Sequence, residues 1–129
     1  MVSIFALLIE AEGLRCTTEV PNMGQSVDLV AVRRRCIIAV EAKLVDWKGA
    51  IRQCLAHRLV ADFVLIALPD SQVTQLVIEG AQREGIGVLA FNQMGCTLTV
   101  VLEPKRSRHV WLPQRAVFKE QFERVMNAD

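Results

Sequence analysis

Residues 26–32 (SVDLVAV) and 36–43 (CIIAVEAK) are two apolar segments rich in β-branched side chains, and only Arg33-Arg34-Arg35 separates them. Such segments favour a pleated, half-buried strand. A link of three residues is far too short for a crossover, so the two strands form an antiparallel hairpin. That pairing brings Asp28, on the first strand, to the same sheet edge as Glu41, thirteen residues later near the end of the second. Side chains alternate along a strand, so Glu41 and Lys43 share one face and Ala42 takes the other. Charged groups that close an otherwise apolar strand are costly unless they pair, hold a metal or do chemistry.

The rest of the chain supplies a sheet for this hairpin. Ile4, Phe5, Leu7, Leu8 and Ala11 recur at helical spacing over residues 2–12, and Gly13 is a natural stop. Residues 15–20 read as a first strand and 21–24 as a turn. Trp47, Ala50, Ile51, Cys54, Leu55 and Leu59 line one face of a helix that Asp46 caps. The continuous apolar runs 63–68 and 85–91 read as strands buried on both faces. Between them a helix begins at 69–71 and runs to about Arg83. Residues 97–102 make a last strand, and Leu112-Pro113 leads into a helix ending near Met126. The order α-β-β-β-α-β-α-β, then β-α, predicts an α/β fold: a mixed β-sheet flanked by helices, in one domain over residues 1–129. Its core covers about 2–91. A basic extension covers about 104–129, and the tail after Glu103 is expected to be the least integrated part.

With 129 residues the chain can bury a real core, and a hydrophobic fraction of 52% points to a homodimer interface besides. A membrane span needs about eighteen consecutive apolar residues, and no such run exists. Residues 4–9 are too short, are followed by Glu10 and Glu12, and have no basic region before them, which excludes a signal peptide. Cys16, Cys36, Cys54 and Cys96 lie far apart with no Cys-x-x-Cys pair, as in a reduced cytoplasmic protein. His57 and His109 are too isolated to suggest a histidine metal site. A net charge of +1 creates no global basic field. Two local clusters remain: Arg33-Arg34-Arg35, and a tail strip of Lys105, Arg106, Arg108, His109, Arg115, Lys119 and Arg124 with Trp111 among it. The strip fits nucleic-acid contact. Val117, Phe118, Phe122 and Val125 offer a rival face for a partner subunit.

Mg²⁺, or Mn²⁺ in its place, takes hard oxygen ligands, typically one or two carboxylates plus waters. Asp28 and Glu41 supply those carboxylates, and the backbone carbonyl of Ala42 adds a further oxygen. Lys43 is placed to orient or deprotonate an attacking water, or to stabilise charge developing on a phosphate. These residue types at this spacing suit hydrolysis of a nucleic-acid backbone.

An Asp, about a dozen residues, then Glu-x-Lys, on the second and third strands after an N-terminal helix, resembles the PD-(D/E)XK nuclease superfamily. Restriction endonucleases, archaeal-type Holliday-junction resolvases and recombination-associated exonucleases belong to it. The resemblance covers roughly residues 2–91 and implies a restriction endonuclease-like αβββαβ core followed by a β-α extension. It implies metal-dependent hydrolysis of DNA, with Asp28 and Glu41 as metal ligands and Lys43 as the catalytic lysine. It also implies a homodimer or a subunit of a larger DNA-processing complex. Some members carry Gln, and four residues later Tyr, in the helix after the motif. Gln53 resembles that active-site or DNA-contacting glutamine, and His57 stands where those members have Tyr. Ser26-Val27 replaces the Pro of the motif's name. Many members add a Glu from the first helix, a place that Glu10, Glu12 or Glu19 would fill here. A chain lacking that acid would be a catalytically silent nuclease-fold module binding DNA or a protein partner. An unrelated α/β enzyme using Lys43 as a base on a metabolite finds no Gly-rich phosphate loop or cofactor motif in the sequence.

Overall fold

The computed structural model describes residues 15–92, 94 and 97–128. They form an α/β fold: a six-stranded mixed sheet with three helices. Strands β1 (Arg15–Asn22), β2 (Gln25–Arg33) and β3 (Cys36–Ala42) are an antiparallel meander. β4 (Phe63–Pro69) and β5 (Gly87–Asn92) continue it in parallel, and β6 (Thr97–Leu102) returns antiparallel at the edge. Helix α1 (Trp47–His57) joins β3 to β4, α2 (Gln75–Glu84) joins β4 to β5, and α3 (Leu112–Met126) closes the described chain. The helix expected over residues 2–12 lies outside the described residues, as does Cys96.

Two successive crossovers step the same way along the sheet, so constant handedness puts α1 and α2 on one face. There Ala50 and Cys54 of α1, Val77 and Ala81 of α2, and Phe118 and Phe122 of α3 pack with Val30, Ile37, Ala39, Ile66, Leu68 and Val88. The opposite face buries Leu29, Ala31, Val40, Leu65, Ala67, Leu89 and Phe91. Strands β3 to β5 are therefore covered on both sides, which is why their sequences read as unbroken apolar runs.

Three expectations need adjusting. The β1–β2 strands run two residues further than their spacing suggests, and the turn is Met23-Gly24 alone, with φ 51 and 81. Two consecutive positive φ values match the right-handed twist of a two-residue hairpin. Residues 70–72 form a single 3₁₀ turn, and α2 starts only at Gln75 because Thr74 is the cap, its Oγ1 accepting from Val77 N at 3.3 Å. The tail is not loosely held. Phe118 and Phe122 are buried in the main core, so the apolar side of α3 docks on its own sheet. Asp62 ties the tail down: its carboxylate accepts from Ile37 N at 2.8 Å, Arg115 Nη2 at 3.0 Å and Arg106 Nη1 at 3.3 Å. Arg115 also donates to the carbonyls of Val60 and Arg35, and Trp111 N to that of Leu59.

Candidate metal and catalytic site

The β2–β3 ladder runs from Arg33↔Cys36 to Leu29↔Val40 and stops one pair short of Asp28 and Glu41. Beyond that point the Asp28 side chain replaces the backbone bond: Ala42 N donates to Asp28 Oδ2 at 2.9 Å. The strands part where the acids sit. The same point carries a change of face. Cys16 of β1, and Leu29 and Ala31 of β2, are on the side away from the helices, whereas Val20 and Val27 are on the helix side. Strict alternation would keep Cys16 with Val20, and Leu29 with Val27. Both strands therefore reverse at the facing positions 19 and 28, between Thr18↔Leu29 and Val20↔Val27. Glu19 takes up the reversal with a left-handed φ of 58. One result is that Asn22, the last residue of β1, is turned under α1.

Glu41 is fully buried there. Its Oε1 lies 2.6 Å from His57 Nε2, and His57 Nδ1 lies 3.1 Å from Asn22 Nδ2. All three side chains are buried, and Glu41 Oε2, Asn22 Oδ1 and Gln53 Oε1 have no hydrogen-bond partner. Loss of water pushes the Glu41 carboxyl above the usual carboxylate range. The hydrogen bond with His57 pulls it back, and the Asp28 carboxyl within hydrogen-bonding reach raises it again. Two carboxyl groups this close either share one proton, so that only one is ionised, or both ionise around a cation. Hard oxygens of this kind, with Oε2 left over, fit Mg²⁺ or Mn²⁺. Among the described residues no cluster of three or more His, Cys, Asp or Glu is arranged to hold a metal. A cation placed here would meet two carboxylates, and its remaining positions would fall to water.

Lys43 stays in register through its N–H, which donates to the Ala67 carbonyl at 3.1 Å. It lines a pocket of about 390 Å³ with Gln25, Asp46, Gly49, Arg52 and Gln53. Asp46 caps α1, accepting from Gly49 N at 2.9 Å, and a Cβ at residue 49 would collide with the Asp46 carboxylate. The cap thus aims α1 so that Gln53 reaches the Lys43 pocket while His57, one turn on, points inward.

The structure therefore brings Asp28, Glu41, Lys43 and Gln53 to one end of the sheet. It does not bring the basic clusters there. Arg34-Arg35 is the turn before β3, six residues from Glu41 and so about 20 Å away along the strand. Lys105, Arg106, Arg108 and His109 line a second pocket of about 710 Å³ with Arg58 and Glu84, where β4 and β5 begin. Arg106 and Arg115 are bound to Asp62. Of the three candidate additional acids, Glu10 and Glu12 lie outside the described residues, and Glu19 is exposed. Sequence reasoning missed Asn22 and left the role of His57 open. His57 carried a signal, its one-turn spacing from Gln53. Asn22 carried none, because its orientation depends on the φ of Glu19.

The fold is shared with solved structures, two of which are AF1548 and an XisH family protein. AF1548, a protein of unknown function, superposes with a TM-score of 0.59 at 18% identity, over 69% of this chain and 55% of that one. An XisH family protein from Nostoc punctiforme superposes with a TM-score of 0.58 at 16% identity, over 76% of this chain and 94% of that one. The chain thus spans little more than half the length of AF1548. No protein-family model matches the sequence, and no curated protein matches it. At these identities the likeness is one of fold: the chain has the α/β architecture of AF1548 and of the XisH family protein.

Proposed function

We propose that the chain is a metal-dependent nuclease of the PD-(D/E)XK type that hydrolyses DNA phosphodiester bonds. The observation that carries this reading is the buried Glu41 carboxylate, with Oε2 unpartnered and Asp28 within reach, set where β2 and β3 part beside the Lys43 pocket. Asp28 and Glu41 would hold Mg²⁺ or Mn²⁺, which supplies the charge that polarises a phosphate and lowers the pKa of water. Asp28 meets it with a carboxylate already oriented by the Ala42 N–H. Lys43, which lines the adjoining pocket, would orient the attacking water and offset negative charge growing on the phosphate. Gln53 lines the same pocket, its Oε1 buried, so its amide would meet a strand backbone as a donor. The hydrophobic fraction of 52% supports action as a homodimer or as a subunit of a larger DNA-processing complex.

One observation favours a second reading, a catalytically silent nuclease-fold module that binds DNA or a protein partner. One oxygen of each acid is already committed inside the protein, Asp28 Oδ2 to Ala42 and Glu41 Oε1 to His57. The deciding experiment is cleavage of labelled duplex, single-stranded and four-way-junction DNA with Mg²⁺ or Mn²⁺, comparing wild type with Lys43→Ala. Metal-dependent cutting that is lost in the variant is the expected result. Intact DNA in every lane with folded wild-type protein would leave the silent module standing.

A further inference from the structure

We propose that His57, held by Asn22, is a positioning residue that aims Glu41 at the cation, an inference that rests on the metal-site reading above. The argument begins with hydrogen-bond roles. The Asn22 amide nitrogen can only donate, so His57 Nδ1, 3.1 Å away, accepts. A neutral ring then carries its single proton on Nε2, which donates to Glu41 Oε1 at 2.6 Å. Rotation of a glutamate carboxyl about χ3 is soft and nearly two-fold. The histidine bond removes that freedom in a place without solvent, and the second oxygen is left facing the Asp28 side.

The plain alternative is a buried polar cluster that only satisfies itself. Such a cluster saturates its members, because a buried carboxylate oxygen left unpaired is expensive. Here Glu41 Oε2 and Asn22 Oδ1 are both unpaired, at the two ends of the chain of bonds. Asn22 meets His57 through Nδ2, and Glu41 Oε2 has only the Asp28 carboxyl within reach. Partners that orient a metal ligand from behind typically set its affinity.

The test is Mn²⁺ affinity of the full chain, read by electron paramagnetic resonance, with thermal melts as the control on folding. Wild type, Asp28→Ala, His57→Gln, His57→Leu and Asn22→Ala are compared. His57→Leu is expected to lose affinity about 10–100-fold, while His57→Gln, which keeps an N–H donor, stays within about three-fold of wild type. Asn22→Ala frees the ring to change tautomer and is expected to fall between them. Wild-type binding abolished by Asp28→Ala but unchanged in His57→Leu would overturn the positioning role alone. Wild type that binds no Mn²⁺ would overturn it together with the nuclease reading. If His57→Leu does not fold, Asn22→Ala decides, and unchanged affinity there sinks the proposal.

Discussion

Glu41 loses its water on folding and gains one histidine and one acid as neighbours, and the first of these changes dominates its ionisation. Its folded pKa is raised above the ordinary value of 4.5. As pH climbs past 4.5 the unfolded chain releases this proton first, so the native state binds more protons and stability falls with rising pH. The loss is complete once pH passes the folded value. A cation competes with the same proton, so metal affinity should rise with pH across that window. Glu41→Gln removes the titration while keeping the shape. The melting temperature of metal-free wild type relative to Glu41→Gln should therefore fall as pH rises above 4.5, and Mn²⁺ should reverse the trend. A difference independent of pH would show that Glu41 ionises like an exposed acid.

At the scale of the element, one unusual torsion organises the hairpin. The left-handed φ of 58 at Glu19 turns Val20 and Asn22 toward the helices and sets the reversal at Asp28 opposite. A non-glycine residue holds that conformation at a cost, and a β-branched one holds it far less readily. Glu19→Val should destabilise by about 1–3 kcal/mol, whereas Glu19→Gly should be close to neutral, local relief offsetting the entropy glycine adds to the unfolded chain. Urea denaturation of the two variants checks this. If the conformation matters as argued, Glu19→Val also disturbs the Asn22–His57 contact and weakens Mn²⁺ binding, while Glu19→Gly does not.

Across the whole molecule, charge is divided by the length of the strands. The carboxylates gather where β3 ends, and the arginine turn and the Lys105–His109 strap lie where β3, β4 and β5 begin. An anion bound beside the carboxylates would meet Lys43 and Arg52, which line the pocket there. Helix α3 is structural as well as basic. Phe118 is 1% exposed and Phe122 3%, and both complete the core shared by α1 and α2. Phe118→Ala should cost about 3–5 kcal/mol in chemical denaturation. A loss below about 1 kcal/mol would mean that α3 is only laid on the surface. No helix among the described residues is long and apolar enough to cross a membrane.

Local spacing alone decided the central hairpin, the meeting of Asp28 with Glu41, the Asp46 cap and the doubly buried strands, because each follows from periods of two or 3.6 and from short links. The same spacing set Gln53 and His57 one turn apart, yet it could not say which would face the pocket and which the core, since that depends on how α1 is rotated against β3. Asn22 read as a turn residue because a single torsion three residues earlier reverses the strand, and no pattern in the sequence encodes a positive φ at a glutamate. The tail read as a loose basic extension because Phe118 and Phe122 specify an apolar face without specifying the surface it meets. Arg106 and Arg115 read as free charge until Asp62, 44 and 53 residues away in sequence, took them up. Contacts within one element or one short turn are written in the chain, whereas contacts between distant segments exist only after the sheet has brought them together.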